Sequence, residues 1–167
     1  MREFFTEALV LDKLESNEYD FIADLFTRDL GRVKARVKSG RKILSKLSPH
    51  LEPLTVSEVR LVEKAGLIVA DALTVKRFNR GFKVLNLLKS LVQSGEADQH
   101  LWFAAVQTLT EGEVDLSNIL KVLGYDPAFV SCFACQNPKA SAFFPEDQSF
   151  FCARCSSKIP ENKLVYL

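Results

Sequence analysis

Arg32-Val33-Lys34-Ala35-Arg36-Val37-Lys38 alternates without exception between cationic and apolar side chains. A repeat of two is the repeat of a β-strand, whose successive side chains point to opposite faces. One face of this strand is therefore apolar and the other wet and positively charged. Upstream, residues 19–27 are rich in β-formers and end in Arg28-Asp29-Leu30-Gly31, a turn sequence that leads straight into the alternating strand. Residues 8–14 read as an earlier short apolar strand. Downstream, residues 54–62 and 67–74 read as two more, joined across Glu63-Lys64-Ala65-Gly66. Between the third and fourth strands, residues 41–47 have the composition for one or two helical turns with Ile43, Leu44 and Leu47 clustered, and Pro49 ends them.

Five short strands with a helical connection between the third and fourth is the layout of the OB-fold, a five-stranded Greek-key barrel. An SH3-like barrel has a similar strand count. After residue 78 the repeat changes. Val84, Leu85, Leu88, Leu91 and Val92 lie at helical spacing, as do Leu101, Trp102, Ala105, Val106 and Leu109, and again Leu116, Ile119, Leu120 and Leu123. Ser94-Gly95-Glu96-Ala97 and Glu111-Gly112-Glu113 separate the stripes. Asp115 suits the N-cap of the third helix and Gly124 the position after its end. The expected class is α+β: an OB-fold barrel over residues 1–78, then a small helical domain over residues 79–167 with a zinc-ribbon-like four-cysteine insertion at about residues 130–157.

Cys132-Phe-Ala-Cys135 and Cys152-Ala-Arg-Cys155 are separated by sixteen residues and account for all four cysteines. Cys-x-x-Cys brings two thiolates from one tight turn to one metal, and two such turns complete a tetrahedral zinc site. No signal peptide or membrane span is legible, since the apolar run near the start covers only Ala8 to Leu11. The expected compartment is the cytoplasm, where disulfides are disfavoured and metal binding is the better reading. Four protein thiolates leave no open coordination position, so one structural Zn2+ is expected rather than a catalytic one. Phe133, Phe143, Phe144, Phe150 and Phe151 are expected to pack around this loop and against the helices. A base-stacking platform is the other reading of these rings.

The net charge is only +1, yet residues 28–46 hold eight cations, Arg28, Arg32, Lys34, Arg36, Lys38, Arg41, Lys42 and Lys46, against the single anion Asp29. Same-face residues of a strand repeat at roughly 6.6 Å, close to the phosphate spacing of an extended single strand. The tract therefore reads as a nucleic-acid-binding face that acts by counterion release, with Gly40 allowing close backbone approach. A solvated face that protects a sheet edge is the competing reading. His50 and His100 are isolated, and Trp102 sits on an apolar helical stripe as core. No phosphate-binding loop, dinucleotide fingerprint or nucleophile elbow is present, and no enzyme is expected.

Leu25-Phe-Thr-Arg-Asp-Leu-Gly-Arg32, Val37-Lys-Ser-Gly-Arg41 and Leu51-Glu-Pro-Leu54 resemble the N-terminal barrel of the RecO family. Leu120-Lys-Val-Leu-Gly-Tyr125, shortly ahead of Cys132-x-x-Cys135 and Cys152-x-x-Cys155, resembles the same family's approach to its zinc knuckles. The resemblance implies a bacterial recombination mediator in DNA repair, nucleoid-associated while it works and monomeric when free. It implies binding of single- and double-stranded DNA, strand annealing, and recombinase loading with the partner RecR, with single-strand-binding protein as a further partner. The sequence departs from the family in a short helical segment, in ending soon after Cys155 where typical members continue, and in placing Gln136 and Ser156 where a glycine often follows the knuckle. The helical contribution to partner binding is thus the part of the resemblance least carried by these residues. Two other functions fit the residues alone: a zinc-containing OB-fold adaptor for protein partners, and an RNA-binding OB protein.

Overall fold

The computed structural model describes residues 2–111 and 115–167. Five strands close into a barrel: β1 (Arg2–Glu15), β2 (Phe21–Thr27), β3 (Gly31–Val37), β4 (Thr55–Lys64) and β5 (Gly66–Arg77). Their order around the barrel is β1-β2-β3-β5-β4, and β4 returns to β1. All neighbours are antiparallel except β3 and β5, which meet in parallel through Ala35 with Leu67 and Arg36 with Ile68. This is the OB-fold topology, and it removes the SH3-like alternative.

Curvature comes from bulges. Leu11 is the extra residue in β1 against β2, and two further register shifts interrupt the β4–β5 ladder. Period-two alternation lets β1 feed two cores. Ala8 and Val10 point into the barrel with Phe21, Ala23, Leu25, Ala35, Val37, Val59 and Leu61. Leu9 and Leu11 point outward, yet both are fully buried because the helices cover them. β1 is longer than its apolar run because its charged N-terminal half pairs with β4, Arg2 opposite Glu63 through Leu9 opposite Val56.

The helices follow the three apolar stripes: α1 (Phe82–Leu91), α2 (Gln99–Thr110) and α3 (Ser117–Val122). Asp98 caps α2 by accepting the Leu101 N–H at 2.9 Å. Asp115 accepts the Ser117 N–H at 2.9 Å, a turn leading into α3 rather than the cap itself, which is Leu116. Of the expected Glu111-Gly112-Glu113 turn, the last two residues lie outside the described residues. Gly124 ends α3 at φ +88°, with Gly124 N–H donating to Lys121 O and Tyr125 N–H to Leu120 O. This is a Schellman ending, which a residue with a side chain adopts only under strain. It turns Tyr125 onto Phe143, ring centres 5.2 Å apart.

The last part of the chain forms a small sheet of β6 (Ala142–Phe144), β7 (Ser149–Phe151) and β8 (Val165–Tyr166), in the order β7-β6-β8, with a one-turn helix α4 (Ala153–Ser156). Strand alternation divides the phenylalanines. Phe143 and Phe150 join a cluster that also holds Leu9, Leu11 and Phe26 of the barrel and Leu85, Leu88, Trp102 and Ile119 of the helices. Phe144 and Phe151 surround the cysteines instead. Phe133 is mainly exposed, touching Phe151 edge-on.

A second local expectation fails, after that of the Asp115 cap. Residues 41–47 form turns, not a helix, with Lys42 N–H bonding Ser39 O and Ser45 N–H bonding Lys42 O. The only helical piece in this connection is a single 3-10 turn, Ser48–His50, with Pro49 inside its start rather than after an end. Leu47 tucks against the barrel core while Ile43 and Leu44 stand in solvent, so the three do not cluster. Gly40 does permit a close approach, but to the Phe21 ring: a Cβ there would lie 2.4 Å from a ring carbon.

Candidate nucleic-acid interface and metal centre

The cationic residues sit on the outer face of β3 and in the loop that follows it, and the register of β2 against β3 decides how many remain available. β2 presents Asp24 directly opposite Lys34, and Ile22 opposite Arg36. On a twisted antiparallel pair, long side chains reach the diagonal neighbour as well. Asp24 accordingly takes Arg32, not Lys34, in a two-pronged bond: Nε to Oδ1 at 3.0 Å and Nη2 to Oδ2 at 2.7 Å. The remaining nitrogen of Arg32, Nη1, donates to Lys89 O at 2.6 Å and Val92 O at 2.9 Å, closing the C-terminal end of α1. The hydrogen bonds to Asp24 raise the Arg32 pKa further above its ordinary value. Arg32 thus ties barrel to helix. The strut is reinforced by Lys89 on Asp12 at 3.0 Å, and by Gly95 N–H donating to Arg32 O.

Arg36 is held similarly by Asp20, with Nε to Oδ2 at 2.8 Å. Asp20 also accepts the Ser39 N–H at 2.7 Å and the Asn17 side-chain amide at 3.2 Å. The Ser39 N–H first, then Arg36, hold this carboxyl down at about 2, well below the usual range. Sign and window follow. A depressed native pKa stabilises the fold above the unfolded value of about 3.9 and ceases to do so as pH falls through about 2. Asp20→Asn is expected to flatten the dependence of urea stability on pH between those two values. Identical pH profiles for the two proteins would show that Asp20 does not anchor the loop.

The other cations divide in the same manner. Arg28 pairs with Glu7 at 2.8 Å, and Arg41 with Glu15 at 3.2 Å and with Asn17 O at 3.0 Å. Lys42 lies over the Tyr19 ring, 5.4 Å from its centre. Lys34, Lys38 and Lys46 are exposed and have no ion-pair partner among the described residues. The scarcity of acids within residues 28–46 is thus compensated from outside that window, by Glu7, Glu15, Asp20 and Asp24 on β1, β2 and the turn between them. His50 has a structural place: its Nδ1 accepts the Thr74 N–H at 3.1 Å, joining the 3-10 turn to β5.

The structure brings the four cysteines together. One sulfur each from Cys132, Cys135, Cys152 and Cys155 lies within 4.8 Å of the others, with Cys135 Sγ and Cys152 Sγ 3.7 Å apart. Four Zn–S bonds of about 2.3 Å in a tetrahedron require sulfurs roughly 3.8 Å apart, so the donor set fits such an ion. Backbone bonds shape both knuckles. Gln136 N–H bonds Cys132 O at 2.8 Å, and Ser156 N–H bonds Cys152 O at 2.9 Å. Gln136 occupies the left-handed region at φ +61°, the place of the missing glycine, whereas Ser156 is helical within α4 and needs none. The Cys152 backbone N–H leads the effects that draw the Cys132 thiol down to about 6. The Cys135 and Cys152 sulfurs lead those that push Cys155 up to about 12. The first of four crowded sulfurs ionises readily and the last resists, a conflict that a bound divalent cation removes.

Comparison with known proteins agrees with this architecture. Residues 1–78 match the family described as Recombination protein O N terminal. A DNA repair protein RecO of Thermodesulfovibrio yellowstonii is 29% identical over 176 residues, spanning 92% of this chain and 70% of that protein. One from Dehalococcoides mccartyi is also 29% identical, with the same two coverages. One from Rhodopirellula baltica is 24% identical over 77% of this chain and 56% of its own length. No described helix is long and apolar enough to cross a membrane. From the barrel at its start towards the four-cysteine cluster near its end, this chain is thus similar to proteins named DNA repair protein RecO, and its first 78 residues match the N-terminal model of that family.

Proposed function

We propose that this protein is a cytoplasmic recombination mediator that binds single- and double-stranded DNA through the outer face of β3 and the β3–β4 loop, and promotes strand annealing and recombinase loading with RecR. The observation that carries the reading is the surplus of exposed lysines, Lys34, Lys38 and Lys46, which have no anionic partner among the described residues. Lys42 and the partly exposed Arg28, Arg36 and Arg41 border them and can add to the field while keeping their own partners. Phosphates bound there release counterions, giving affinity without sequence preference. Neutralising two strands on one surface lets them approach, and competing for phosphates displaces a coating protein. No covalent chemistry is needed. The four thiolates hold one Zn2+, which fixes the last sheet in place and has no coordination position left for a substrate.

Binding to single-stranded oligonucleotides across a salt series tests this. Each phosphate contact contributes roughly 0.7 to the log–log slope, so Lys34→Ala with Lys38→Ala is expected to lower the slope by roughly 1.4 and weaken binding without lowering stability. An unchanged slope and affinity would remove this surface from the interface. A strand-annealing assay with and without RecR tests the mediator role, and tighter binding to matched RNA would favour the RNA-binding alternative.

A further inference from the structure

The β3–β4 loop carries an unusual pair. Ile43 and Leu44 are 102% and 91% exposed, at the tip of a loop that also holds Lys38, Arg41, Lys42 and Lys46. Two adjacent aliphatic side chains wholly in water gain nothing for the fold, since the driving force for burying them is unused. The loop beneath them is nevertheless braced. Ser39 N–H is fixed by Asp20, Arg41 N–H bonds Tyr19 O at 2.9 Å, and the Arg41 side chain reaches Asn17 O and Glu15. Gly40 rests on Phe21 and Leu47 is anchored in the barrel. The tip is thus an apolar projection on a firm mount, ringed by cations.

We propose that Ile43 and Leu44 act as a wedge, inserting between neighbouring bases of a strand whose phosphates lie on the surrounding lysines. This rests on the DNA-binding reading above and adds to it a contact with the bases. Apolar side chains, isoleucine and leucine among them, are a known means of parting a base step, and the unstacking they cause is offset by their own burial. Charge complementarity selects a polyanion for the ring of cations. The projecting form selects an occupant that opens to receive it, as a base stack does, whereas an apolar peptide requires a groove. Parting stacked bases also suits annealing, which needs bases presented outward to a second strand.

The test uses the full chain and a mixed-sequence single strand bearing 2-aminopurine at every fourth position, a base whose emission rises when it is unstacked. The native protein is expected to raise the emission on binding. Ile43→Ser with Leu44→Ser is expected to abolish that rise and weaken binding roughly tenfold, while leaving the salt slope and the melting temperature unchanged. Lys34→Ala, by contrast, is expected to lower the slope and keep the rise. Salt-dependent binding with no change in emission, or an equal rise and equal affinity in the double serine variant, overturns the wedge and leaves DNA binding standing. Absence of salt-dependent binding by the native protein overturns both. If the double variant instead loses retention of an acidic, apolar peptide and binds DNA as before, the tip is a protein-docking element and the wedge is overturned.

Discussion

Removing zinc, the ion proposed for Cys132, Cys135, Cys152 and Cys155, is expected to unfold the chain from about residue 130 onward and to lower the melting temperature of the remainder. The effect should be the largest available in this protein, because a four-thiolate zinc site contributes on the order of 10 kcal/mol of apparent binding free energy at neutral pH. The sheet it supports is small. Its strands are three, three and two residues long, and α4 is a single turn. The loss does not stay local. Phe143, Phe150 and Val165 are members of the cluster that also buries Leu85, Leu88, Trp102 and the outward residues Leu9, Leu11 and Phe26 of the barrel. The barrel interior is a separate cluster enclosed by the closed five-stranded sheet. Chelation should therefore produce rapid proteolysis beyond residue 130, partial exposure of the helices and a protected barrel. Salt-dependent DNA binding should survive. Cys155→Ser is expected to reproduce the pattern. A chelated protein with an unaltered melting curve and unaltered protease fragments would dismiss the metal as a structural element.

The second large effect is expected from Arg32→Ala. It leaves the Asp24 carboxylate, 3% exposed, without its counter-charge and removes both donors from the end of α1. Breaking a buried pair by deleting one partner costs about 3 kcal/mol or more, chiefly because the other charge stays buried. The expected result is a lowered urea midpoint for the whole protein and, under conditions where the variant is folded, an unchanged salt slope for DNA. Arg32→Lys should recover only part of the loss, since an ammonium cannot grip the carboxylate with two prongs while reaching two carbonyls. A loss of stability well under 1 kcal/mol, accompanied by a slope lower by roughly 0.7, would show instead that Arg32 contacts phosphate and is not a clamp.

These two residue groups lie at opposite ends of what is legible in a sequence. The cysteines were legible because spacing alone brings the sulfurs of each pair together: a turn of Cys-x-x-Cys has little conformational choice. The three helical stripes were legible for the same local reason, as was the end of α3, where Gly124 and Tyr125 make the turn. The acids that occupy Arg32 and Arg36 were not. Asp24 and Asp20 lie eight and sixteen residues upstream, and they meet their partners only through the diagonal of the β2–β3 register. The loop at residues 41–47 was misread because its apolar residues have helical spacing. In the folded chain Leu47 goes to the barrel and the turn bonds replace a helix.

The alternating cationic strand, the change from strand to helix repeat near residue 78 and the four-cysteine cluster could all be read from the chain alone. Each rests on interactions between residues a few positions apart. Folding in three dimensions was needed for the parallel closure of β3 on β5 and for the sharing of one core between barrel, helices and the small C-terminal sheet. It also decided which cations are paired with a carboxylate. The physical reason is that charge is neutralised through space. A tract with one acid in nineteen residues acquires its counter-charges from β1, β2 and the turn between them, and Lys34, Lys38 and Lys46 remain exposed with no ion-pair partner among the described residues.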